Sequence, residues 1–67
     1  MSEQELKGQW RELKGKVRQK WAKLTDDDIE RISGKKDELV GTLQKRYGES
    51  RDWAEDQVRE WQKEWSR

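Results

Sequence analysis

Leu6-Lys7-Gly8-Gln9-Trp10-Arg11-Glu12-Leu13-Lys14-Gly15-Lys16-Val17-Arg18-Gln19-Lys20-Trp21-Ala22-Lys23-Leu24 sets the helical period of the chain. Its large apolar residues, Leu6, Trp10, Leu13, Val17, Trp21 and Leu24, recur at spacings of three and four. Wound at about 100° per residue, they fall within an arc of about 80°, which is the pattern of an amphipathic helix. The spacing predicts a helix over residues 3–23. Gly8 and Gly15 lie on its polar side, and each costs about 1 kcal/mol relative to Ala in a helix interior. The segment is therefore either two helices or one helix whose first turns are loose.

Thr25-Asp26-Asp27-Asp28 follows. Thr is a good N-cap, and Asp28 at the third helical position completes a capping-box-like pair. Three carboxylates in a first turn also suit the positive end of the helix dipole. Ile29 and Ile32 give this short helix its inward face, and Ser33-Gly34 ends it. Ser33 is also placed to cap a third helix over 35–47, whose apolar side is Leu39, Val40, Leu43 and Tyr47. Gly48 suits its C-terminal stop, where a positive φ is needed. Ser50 caps a last helix with Trp53, Ala54, Val58, Trp61 and Trp65 on its buried side. Trp53 falls at one edge of that side. Trp65, close to the terminus, is either partly exposed or covers the edge of a dimer.

Composition opposes this pattern. Of 67 residues, 31 are charged, 16 basic and 15 acidic, and only 19 are hydrophobic. So low an apolar content makes disorder the competing reading. Two features weigh against it: a net charge of only +1, and five tryptophans. Each Trp can bury about 150–250 Å². The chain has the length of one domain, residues 1–67, and contains no run of 18 apolar residues that would span a membrane.

Glu12-Leu13-Lys14-Gly15-Lys16-Val17-Arg18-Gln19-Lys20-Trp21 aligns at an offset of 26 with Glu38-Leu39-Val40-Gly41-Thr42-Leu43-Gln44-Lys45-Arg46-Tyr47. Glu, Leu and Gly match identically; Val/Leu, Lys/Arg and Trp/Tyr match in kind. The alignment suggests two similar helix hairpins packed across one another, although amphipathic helices also resemble each other by chance.

Catalytic signals are sparse. Cys and His are absent, which removes the thiolate nucleophile, the commonest general base and the usual zinc ligands. Asp26 to Asp28 lack the alternate spacing and turn-forming Gly of a calcium loop, so helix capping is the stronger reading of that run. No catalytic, cofactor or metal residue is assigned, and no small-molecule substrate is expected. Binding residues are easier to nominate. Residues 1–24 carry seven basic and three acidic side chains, whereas the rest of the chain is net acidic. Lys7, Arg11, Lys14 and Arg18 share about 60° of helical arc beside the apolar stripe, and Lys16, Lys20 and Lys23 lie on its other side. A basic helix with interfacial Trp suits nucleic acid phosphates or an anionic membrane surface. The competing reading is a solvated face whose lysine stems shield the core. Lys35 and Lys36, after Ser33-Gly34, form a second anion candidate at a helix start; an ordinary capped turn explains the same residues.

Residues 14–28 resemble the signature of the CsbD-like family of small bacterial stress-response proteins. The resemblance runs on through Ile32-Ser33-Gly34-Lys35-Lys36-Asp37-Glu38-Leu39-Val40-Gly41 and Leu43-Gln44-Lys45-Arg46-Tyr47-Gly48, and covers about residues 6–61. It implies an all-α fold, a small four-helix domain of two crossed helical hairpins in a SAM-like arrangement. It implies a role in the bacterial general stress response with no defined biochemical activity, and no catalytic residues come with it. Two positions depart from the family pattern: Ala22 stands where Gly is usual, which would stiffen the end of the first helix, and Trp53 replaces an acidic residue, which would add an apolar edge to the last.

These observations together lead to the expectation of a cytoplasmic, non-enzymatic stress-response protein, monomeric or a weak homodimer, acting as a highly soluble charged protectant. The alternative is a binding module for nucleic acid or anionic lipid through the basic face of the first helix.

Overall fold

The computed structural model describes the backbone of residues 3–65 and the side chains of residues 6–64. Five helices follow in order, with no strand among the described residues: α1 (Glu3–Gly8), α2 (Trp10–Lys20), α3 (Asp26–Ile32), α4 (Lys36–Tyr47) and α5 (Arg51–Trp65). The side chain of Trp65, and with it the expected exposed or dimer-covering edge, lies outside the described residues.

There are five helices rather than four because the first predicted helix divides. Gln9, directly after Gly8, leaves the helical region at φ −110°, ψ 11°, and the amides of Glu12 and Leu13 turn back to its carbonyl. The glycine lowers the cost of interrupting the helix there. Leu6 is fully buried, so the short α1 joins the core instead of extending into solvent. The second departure is at the other end. α2 stops at Lys20, and Trp21 leaves the helical region at φ −124°, ψ 84° while its amide still donates to the Val17 carbonyl at 2.9 Å. Ala22 therefore lies in an exposed turn beyond the helix, where it cannot stiffen it.

Local signals set the other ends. Thr25 Oγ1 accepts from the Asp28 amide and an Asp28 carboxylate oxygen accepts from the Thr25 amide, both at 3.1 Å. This is the reciprocal box predicted from the sequence. Thr25→Ala is expected to cost about 1 kcal/mol, read as a shifted midpoint in urea unfolding. Ser50 Oγ accepts from the Trp53 amide, and Gly48 ends α4 at φ 65°. Ser33 does not cap α4. It adopts the left-handed conformation that ends α3, and Lys35 stands at the N-cap of α4 without a side-chain bond.

Thirteen apolar residues close the core: Leu6, Leu13, Val17, Trp21, Leu24, Ile29, Ile32, Leu39, Val40, Leu43, Ala54, Val58 and Trp61. Trp10, Tyr47 and Trp53 pack half-buried against it. Trp21 meets Trp61 edge-on at 5.4 Å, and its indole N–H donates to Gln57 Oε1 at 3.3 Å. Tyr47 lies against Trp53 at 5.5 Å, so the tryptophan at the edge of α5 is packed and does not stand free. Both segments aligned at the offset of 26 are helical, apart from Trp21 at the end of the first. The offset carries residues 10–20 of α2 onto 36–46 of α4, and the aligned pairs Leu13/Leu39 and Val17/Leu43 are all buried.

Of the five glycines, Gly34 is the one packed against the backbone of another segment. Its φ is +81°, and a Cβ there would lie 2.7 Å from the Cα of Lys7. Gly34→Ala would add both left-handed strain and a main-chain clash. It is expected to destabilise the domain by about 2 kcal/mol or more, measured by thermal or urea unfolding.

Candidate functional site

The charges sort into two groups. The first centres on Asp28, whose side chain is only 1% exposed. Arg46, from α4, donates to both carboxylate oxygens, Nε to Oδ2 at 2.7 Å and Nη2 to Oδ1 at 2.9 Å. Arg31 adds a bond to Oδ1 at 3.2 Å. The Arg46 guanidinium holds the Asp28 carboxyl well below the ordinary value of 3.8; burial opposes this shift, and the Thr25 amide reinforces it. Arg46 is in turn held more firmly in its charged form. The sequence marks Asp28 as a capping residue but gives no sign of its partner 18 positions away. The pair ties the start of α3 to the end of α4. It is a structural clasp with every carboxylate lone-pair direction in use, so it offers nothing to a substrate.

The three aspartates also diverge. Asp26 pairs with Arg18 across the gap between α2 and α3, Asp27 is exposed, and Asp28 points inward. Among the described residues no group of three or more His, Cys, Asp or Glu side chains is gathered in a way that would hold a metal ion.

The second group is the basic side. Of the nominated residues, Arg18 is drawn to Asp26. Lys7, Arg11, Lys14, Lys35 and Lys36 make no ion pair with any described residue. The sequence presents them as two separate candidates, and the fold brings them together. Gly34 sits against the backbone of Lys7, which sets the start of α4, with Lys35 and Lys36, beside α1. One residue earlier, Ser33 shares a groove with Trp10, Arg11, Lys14, Ile29 and Glu30. Lys36 is half-buried and the other four are exposed. Glu30 is the acidic neighbour in the groove; Asp37, next to Lys36, lies 3.8 Å from Arg51.

The lysines on the other side of α2 face a different environment. Lys16 and Lys20 line a groove of about 350 Å³ with Gln19, Trp61 and Glu64. The Lys23 ammonium lies 5.0 Å over the Tyr47 ring, a cation–π contact.

A small all-helical domain with a closed core, an internal arginine–aspartate clasp and a basic edge is the class of protein that these observations define. A family model described as CsbD-like matches residues 4–56. The UPF0337 protein YjbJ of Escherichia coli O6:H1 is 51% identical over 63 residues, covering 94% of this chain and 91% of that protein. YjbJ of Salmonella typhimurium is 48% identical over 62 residues, 92% of this chain and 89% of that one. The UPF0337 protein PA4738 of Pseudomonas aeruginosa is 45% identical over 60 residues, 90% and 92% of the two chains. The chain belongs to the CsbD-like family.

Proposed function

We propose that the chain is a non-enzymatic bacterial stress-response protein of the cytoplasm that protects other macromolecules through a dense, hydrated, charged surface. The observation that carries this reading is the distribution of apolar groups. Among the described side chains, Ala22 is the one hydrophobic residue that is exposed; every other is buried or packed half-buried against the core. Ordinary folded proteins leave much apolar surface in water, and contiguous apolar patches mark association sites. A surface of charges without such a patch remains dispersed at high concentration and meets its neighbours through weak, solvated contacts. Among the described residues no helix is long and apolar enough to cross a membrane. The same reading takes the helices as two crossed hairpins in a SAM-like arrangement, supported by the match of α2 with α4 at an offset of 26.

The test is recovery of client enzyme activity after heating or drying. The protein is expected to preserve more activity than an equal mass of an inert globular protein, and equal recovery would refute the protectant role.

A second reading is favoured by the cations beside α1 and α2 that pair with no described residue: a module that binds anionic polymers or surfaces. It predicts an association that weakens steeply with added salt. Titration against nucleic acid and anionic vesicles at low salt checks it, and no association with either would end it.

A further inference from the structure

We infer that Lys7, Arg11, Lys14, Lys35 and Lys36 form one continuous surface that holds the phosphate backbone of duplex nucleic acid without reading its sequence. This rests on the second reading above and adds the surface and its occupant.

Three observations carry it. First, the five cations converge from distant parts of the chain. The Gly34 contact sets the 33–34 turn, which leads into Lys35 and Lys36, against Lys7, and Ser33 borders the groove that Arg11 and Lys14 line. Second, none of the five is neutralised by a described partner, while the arginines of α3, α4 and α5 are all engaged in ion pairs. Arg18 shares a groove with Lys14 but is paired with Asp26, so it is not counted among the five. Glu30 repels phosphate inside the groove, so the contacts run along its outer rim.

Third, the aromatic and aliphatic groups choose among anionic partners. Anchoring in a lipid interface needs an apolar helix face that can enter the acyl boundary. Here Leu13, Val17 and Trp21 of that face are at most 2% exposed. Single strands are held by stacking bases on accessible aromatic rings. Among the described rings Trp21 and Trp61 are buried, and Trp10, Tyr47 and Trp53 are half-buried against the core; Trp10 borders the groove, one partly covered ring rather than a platform for successive bases. Surface cations remain, and these suit the regular charge lattice of a duplex, about one phosphate per 1.7 Å of axis. The molecule's long dimension is 29 Å, the length of roughly nine base pairs. Phosphate contacts made by lysine and arginine position the protein and carry no sequence preference.

The experiment is fluorescence anisotropy of the full chain with three probes: a labelled duplex of about 16 base pairs in several sequences, a single strand of the same length, and vesicles rich in phosphatidylglycerol. Five phosphate contacts predict a log–log salt slope of about −4.5 on duplex, alike for every sequence. The variants Lys7→Gln/Arg11→Gln/Lys14→Gln and Lys35→Gln/Lys36→Gln are each expected to weaken duplex binding about tenfold or more at low salt. Lys16→Gln/Lys20→Gln, on the opposite groove, is expected to stay within about twofold. Circular dichroism checks that each variant keeps its helix content. An equal loss in the Lys16/Lys20 variant would show a mere net-charge effect and overturn the surface. Duplex binding untouched by Lys35→Gln/Lys36→Gln would leave the second reading standing and refute the joined surface. Stronger binding to single strand or vesicles would overturn the choice of occupant. No binding to any probe would overturn both.

Discussion

Trp21→Ala is expected to remove most of the stability of the domain. Trp21 is 2% exposed and meets Trp61 of α5 at 5.4 Å, with an indole bond to Gln57 on the same helix. It stands just after the end of α2, so it joins the first part of the chain to the last. Truncating a buried aromatic costs about 3–5 kcal/mol. A chain of this size holds only about 3–10 kcal/mol in total. Urea unfolding followed by far-UV circular dichroism should show the transition lost or moved close to zero denaturant. Trp21→Phe keeps a ring in place and gives up the bond to Gln57, so it should fall between the parent and the Ala variant. A Trp21→Ala transition within about 1 kcal/mol of the parent would mean that this contact does not close the core.

Acid is expected to act mainly through Asp28. Its folded-state pKa is depressed, chiefly by the Arg46 guanidinium, so the unfolded chain binds the proton more readily than the folded one. Stability from this group is therefore fully present above the ordinary carboxylate value of 3.8 and is lost as pH falls below it toward the folded value. The parent should lose stability steadily in that acid range. Asp28→Asn cannot ionise, so its stability should be lower at neutral pH and much flatter below about pH 4. Loss of the carboxylate gives up charge-assisted bonds to two arginines, an expected cost of about 2–3 kcal/mol at neutral pH. Arg46 keeps a third of its side chain in water and can turn outward, which holds the cost below that of a fully enclosed pair. Equal acid slopes in the parent and Asp28→Asn would assign the acid response to other groups.

What could be read from the sequence was local. The stripe from Leu6 to Leu24 is buried apart from half-buried Trp10, and the Thr25/Asp28 box forms as spaced, because helical periodicity and capping depend on residues three or four apart. The Ser50 cap and the Gly48 stop follow for the same reason. Ser33 was ambiguous between ending α3 and starting α4, and the left-handed conformation it shares with Gly34 decides for the end of α3. The clasp of Asp28 with Arg46 and the meeting of Gly34 with Lys7 depend on packing between elements far apart in sequence, which no local spacing encodes. The candidate site shows the same division. Its cations were evident as residue types. Their union into one surface, and the withdrawal of Arg18 to Asp26, were not.

Amide hydrogen exchange followed by NMR tests most directly whether a chain with 31 charges in 67 residues holds one closed core. Strong protection, near the limit set by global unfolding, is expected at Val17, Leu39, Leu43 and Val58, with fast exchange near Gln9 and at exposed Ala22. Exchange at those four amides within a few-fold of an unstructured chain would contradict the fold, and the surface built on it.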